Sequence, residues 1–171
     1  QGTGAISTGK DWDAQAPESK YIVIIDRCII RNNTVQSNGN THGAGIDIKK
    51  PARITNNLII GNKMINMNNQ SSQGLGAGVH VWLESRHDEH GNERFPFTYI
   101  INNTIANNSQ RMGDGNLNDR GAGLFINNIN GGVYIFNNVI WGNESGGEEN
   151  INIDFPGNVN IDHNDIQFSS Q

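Results

Sequence analysis

Two eight-residue strings, GAGIDIKK at 43–50 and GAGVHVWL at 76–83, carry an aspartate and a histidine at the same fifth place, Asp47 and His80. An imidazole beside a carboxylate is the pairing on which general acid or base catalysis is built. Two places on stand Lys49 and Trp82, and a third string, GAGLFIN at 121–127, puts Phe125 in the fifth place. If the strings lie over one another, Asp47 tunes His80, Lys49 takes a substrate carboxylate, and Trp82 or Phe125 meets a sugar face. The commoner outcome of such a pairing is a solvated cross-strand contact among amphipathic surface residues.

Two further clusters have metal-ligating chemistry. His87 and His90 in HDEH, with His80 at the base of the same loop, have the donor types of a zinc or nickel site, although spacing within a loop is unspecific. DGNLND at 114–119 sets oxygen side chains at Asp114, Asn116 and Asn118, followed by Asp119, like the front half of a calcium loop. It lacks the glycine at the sixth place and the later glutamate, so a Gly-Asn-Asp turn explains it equally.

The elements that would position these residues follow from internal repetition. Ile24, Ile54, Ile100, Ile135 and Ile161 form one column, and Ile29, Ile59, Ile105, Ile140 and Ile166 form another five residues later. Between them fall Arg27, Asn57, Asn103, Asn138 and Asn164; after them come Asn32, Asn62, Asn108 and Asn143. Ile22, Ala52, Thr98, Val133 and Val159 stand two residues before the first column, the spacing of a strand. Glycine and asparagine interrupt every apolar run before a helix of three turns could form. Strands this short bury their side chains only by stacking, about 4.8 Å apart, which predicts an all-β parallel β-helix of about five coils. Asparagine suits the bends, because it tolerates the left-handed region and its amide can hydrogen-bond from coil to coil.

With its GGAI-like and NNxIxxN-like strings, and Trp141-Gly142-Asn143 late in the chain, the sequence resembles the right-handed parallel β-helix, pectate-lyase-like proteins, and among them the repeat-rich bacterial secreted or surface members. The resemblance covers about residues 2–166. It implies a right-handed solenoid with asparagine ladders and an extracellular or cell-surface location. The fold hosts lyases, hydrolases and adhesins alike, so it does not fix an activity. Neither the Asp-Pro-His triplet of mannuronan epimerases nor the arginine-centred signature of pectate lyases occurs. If the chain is an enzyme, the resemblance implies one like a polysaccharide lyase or glycoside hydrolase.

Length predicts a single domain over 1–171, and the degenerate first copy GTGAIST predicts a segment of a longer solenoid whose uncapped ends could meet other coils. A net charge of −5 and a pI near 5.4 offer no basic footprint for nucleic acid. No apolar stretch approaches the roughly 20 residues of a membrane span. Cys28, the one cysteine, reads as a small buried hydrophobe.

Connections between the two strands of a unit are long at 9–20 and 82–97 and short at 49–53, which predicts a groove between two walls. Its floor would hold Lys49, Lys50 and Arg53, and Trp12 would stand on one wall. A polysaccharide or cell-surface glycan, anionic for preference, suits a cationic floor between aromatic walls. The other reading is a structural or adhesive segment with no small-molecule site, in which Trp12 and Phe95 simply pack onto the solenoid.

Overall fold

The computed structural model describes residues 2–8, 22–38, 41–67, 74–83, 86–87, 93–94, 97–112, 121–128, 131–146, 150–154 and 158–167. These form a parallel β-helix. Sheet 1 stacks Ile6–Ser7, Ile46–Ile48, Val79–Leu83, Leu124–Asn128 and Ile151–Asp154 in chain order. Sheet 2 stacks Val23–Asp26, Ala52–Thr55, Phe97–Ile101, Gly132–Phe136 and Asn158–Asp162. Sheet 3 stacks Ile29–Arg31, Leu58–Ile60, Thr104–Ala106, Val139–Trp141 and Asp165–Ile166. A shorter sheet of Thr34–Ser37, Lys63–Asn66 and Ser109–Met112 follows sheet 3, and one of Gly2–Thr3, Thr41–His42 and Gly74–Leu75 precedes sheet 1. All pairings among these sheets are parallel and in register.

The interior is a set of aliphatic columns. Ile46, Val79 and Leu124 line sheet 1, Ile54, Ile100 and Ile135 line sheet 2, and Ile59, Ile105 and Ile140 line sheet 3, all without exposed surface. Burying a side chain of this size contributes roughly 1.5–3 kcal/mol, so the repeated columns dominate the stability. The GAG entry to sheet 1 is a turn followed by a tight contact. Its first glycine is left-handed, with φ of 47° at Gly43 and 64° at Gly76. Its second leaves no room for a side chain, since a Cβ on Gly78 would stand 2.9 Å from the ladder amide of Asn108.

The first coil corrects the sequence reading by one residue. Ile25, not Ile24, pairs with Ile54, and Ile30, not Ile29, pairs with Ile59. Val23, not Ile22, lies beside Ala52, and Ile24 and Ile29 point outward, 68% and 67% exposed. The run Ile22–Ile25 holds two interleaved apolar sets, so its period-2 pattern leaves the inward set undecided. The bend decides. Asn56, Asn102, Asn107 and Asn137 take φ of 54–57°, and the residue after each enters the ladder. Asn32 takes φ of 56° and Asn33 enters the ladder, which shifts the coil by one residue. Arg27 therefore occupies the left-handed position at φ 54°, outside the ladder, and Cys28 stands in the column, its backbone N–H donating to Asn57 Oδ1 at 2.9 Å.

Two buried ladders result. Asn57 donates its backbone N–H and Nδ2 to Asn103 Oδ1 at 3.0 and 2.9 Å, Asn103 does the same to Asn138, and Asn138 to Asn164. Each Nδ2 also donates to a strand carbonyl of the preceding coil, Asn103 to Ile54 O at 2.9 Å for one. The second ladder runs Asn33, Asn62, Asn108 and Asn143, and closes on Asn150.

Candidate functional site

The outer column of sheet 1 reads Ser7, Asp47, His80, Phe125 and Asn152, adjacent in register. The stacked GAG strings thus bring Asp47 against His80, Nδ1 to Oδ1 at 2.7 Å, and the other carboxylate oxygen lies 2.8 Å from Lys49 Nζ. Ser7 Oγ donates to that same oxygen at 3.4 Å. The column is not a solvated surface. Asp47, His80 and Phe125 have no exposed area, and the Lys49 side chain is 13% exposed.

The covering is partly His42, which sequence reasoning did not single out. It directly precedes the left-handed Gly43, and that turn lays its ring on His80 of the next coil, centroids 4.7 Å apart. Phe125 stacks on the other side of His80 at 5.8 Å, and Trp82 meets both imidazoles edge-on. A histidine immediately before a GAG string was the available signal.

Burial pushes the Asp47 carboxyl up, but the hydrogen bond and charge of His80, then those of Lys49, outweigh it and hold the group at about 2. His42 is lowered to about 4, first by burial and then by its neighbours His80 and Lys49, against the opposing pull of Asp47. An ionised carboxylate only accepts hydrogen bonds, so Nδ1 of His80 carries the hydrogen. Nε2 of His80 is buried and, like Nδ1 of His42, meets no hydrogen-bond partner among the described residues. The arrangement orients an imidazole as a base is oriented in a His-Asp pair, yet no atom of that imidazole is open to solvent.

A second surface lies on another face of the solenoid. Outside sheet 2, Arg53, Tyr99, Tyr134 and Asn160 form one column, and Phe97, Gly132 and Asn158 form the next. Tyr99 and Tyr134 stack at 5.1 Å with 14° between planes, and the Arg53 guanidinium lies over Tyr99, 5.8 Å from its centroid. Phe97 leans across Gly132, where a Cβ would stand 2.7 Å from the ring's Cε1, and is 45% exposed. Tyr99 and Tyr134 immediately precede Ile100 and Ile135, so the column that located the core also aligned these rings.

Of the expected groove, the floor is described. Lys49 and Lys50 are half-buried and Arg53 is exposed at the edge of the aromatic surface. Trp12 and the calcium candidates Asp114, Asn116, Asn118 and Asp119 lie outside the described residues, as does His90. The connection after sheet 1 in the third coil contains an antiparallel pairing of Arg86–His87 with Glu93–Arg94. Among the described residues no group of three His, Cys, Asp or Glu side chains is placed to hold a metal ion, and no helix is long and apolar enough to cross a membrane.

No protein-family model, curated protein or solved structure matches the chain.

Proposed function

We propose that the protein is an extracellular or cell-surface module that binds polysaccharide, and that the ligand lies on the outer face of sheet 2 beside the cationic 49–53 turn. The observation that carries this reading is the aromatic surface of Phe97, Tyr99 and Tyr134, mounted on a rigid sheet with Phe97 nearly half open to solvent. An exposed aromatic ring offers sugar C–H groups an apolar face at little entropic cost, because the sheet already holds it in place. Titration calorimetry against a panel of soluble polysaccharides tests it. Phe97→Ala is expected to weaken binding about tenfold, the equivalent of roughly 1.4 kcal/mol. Unchanged affinity removes the aromatic surface from the ligand's path.

A second reading, in which the module also acts on its polysaccharide, rests on the Asp47–His80 pair. Asp47 fixes the tautomer that leaves Nε2 to accept a proton. Its burial opposes this reading, since a general base must come within about 3 Å of the proton it removes. Absorbance of unsaturated sugar ends on pectate, alginate and glycosaminoglycans, with calcium present, separates the two. Turnover that is lost in His80→Gln supports action on the polysaccharide, and silence on every polymer leaves binding alone.

A further inference from the structure

Building on the polysaccharide-binding reading, we infer that the surface of sheet 2 recognises an acidic sugar, a hexuronate whose carboxylate is taken by Arg53 while its ring leans on Phe97. Two observations and the shape of the guanidinium group converge on this. Arg27, Lys49 and Arg111 each meet a carboxylate, whereas Arg53, like Arg31 and Lys63, meets none among the described residues, and it is exposed. Its guanidinium is held over the Tyr99 ring, which orders the planar fork without consuming its hydrogen-bond donors. That fork matches a carboxylate in bidentate geometry better than it matches a hydroxyl.

Phe97 stands on the same outward face two residues before Tyr99, the register partner of Arg53. Its Cα is therefore diagonal to that of Arg53, roughly 8 Å away by the rise per residue and the strand spacing, and its ring leans toward the following coil, across Gly132. The columns continue along the solenoid to exposed Asn158 and Asn160, whose amides suit sugar hydroxyls. A polymer lying along the axis thus meets a cation, then aromatic rings, then amides, in successive coils.

The protein carries a net charge of −5, so a polyanion is repelled in general and attracted only by a local site. Retention of an acidic polymer is for that reason a specific readout.

The test measures affinity for polygalacturonate and for the same polymer with its carboxyl groups reduced, in chelator and at fixed ionic strength. Wild type is compared with Arg53→Ala, Arg53→Lys and Phe97→Ala, each first shown to melt like wild type. The expected result is at least tenfold tighter binding of the acidic polymer. Arg53→Ala abolishes the difference, Arg53→Lys keeps only part of it, and Phe97→Ala weakens both polymers alike. Equal binding of the two polymers, or a preference that survives Arg53→Ala, overturns the inference and leaves the polysaccharide reading standing. Tighter binding of a sulfated glycan of matched charge density overturns the carboxylate assignment. Failure to bind any polymer on the panel overturns both.

Discussion

The bends and the histidine cluster both bury polar side chains, and they do it in opposite ways. At the bends, Asn57, Asn103 and Asn138 repeat one arrangement, with each Nδ2 donating onward and the Oδ1 of Asn103 and of Asn138 each accepting two hydrogen bonds. Beside sheet 1, His42, Asp47 and His80 occur once each, and buried ring nitrogens of both imidazoles find no partner among the described residues. A satisfied network costs little to bury and rigidifies the chain, while an unsatisfied buried group costs about 1–3 kcal/mol. Repetition thus marks structural polarity here, and the unrepeated cluster is where the fold gives up stability.

The largest effect expected from breaking this contrast lies in the ladder. Asn103→Ala removes the acceptor for the backbone N–H and Nδ2 of Asn57 and the donor to Ile54 O, all buried. With roughly 1–3 kcal/mol for each orphaned group, partly recovered by relaxation, unfolding in urea should show a loss of about 3–5 kcal/mol. A loss below about 1 kcal/mol would mean that the amides are interchangeable with packing, and the contrast would fail.

Acid should attack the histidine cluster first. His42 is lowered from 6.5 to about 4, so the unfolded chain binds the extra proton more readily. The stability it contributes is present above pH 6.5 and is lost as pH falls toward 4, a change of about 3 kcal/mol at most. Asp47, lowered from 3.8 to about 2, adds a second loss between those values. Denaturation midpoints followed from pH 8 to 3.5 should fall in the wild type and stay flatter in His42→Phe. Parallel curves would show that protonation of His42 does not drive the loss.

The same contrast explains what could be read from the chain alone. The columns through Ile54, Ile100 and Ile135 were legible because their five-residue spacing to Ile59, Ile105 and Ile140 recurs in every coil. So was the juxtaposition of Asp47 with His80, which follows from stacking like strings. The first coil was misread because the run Ile22–Ile25 is apolar on both faces, and alternation carries no information when both sets are apolar. Burial of the site was illegible for another reason. His42 reaches His80 through a left-handed turn at Gly43, a three-dimensional consequence that no column alignment expresses. The aromatic surface is legible in principle, since Tyr99 and Tyr134 immediately precede the core column and therefore alternate outward.

The smallest effect separates the two tasks that each bend performs. One residue turns left-handed and the next joins the ladder, and only the second is buried, as Asn56 and Asn57 illustrate. In the first coil the turning residue is Arg27, whose side chain is largely exposed and meets Asp26 at 3.5 Å, an exposed pair that contributes little. A side chain with a Cβ is strained at φ 54°, and asparagine bears this conformation better than arginine because its short amide bonds locally. Arg27→Asn should therefore raise stability by roughly 0.5 kcal/mol while leaving the ladder at Cys28 intact, and Arg27→Val, β-branched at positive φ, should lower it by about 1 kcal/mol. Matched urea midpoints for the two variants resolve the difference. If valine is tolerated as well as asparagine, the left-handed turn does not set the register of the first coil, and the choice of Ile25 over Ile24 must come from the core alone.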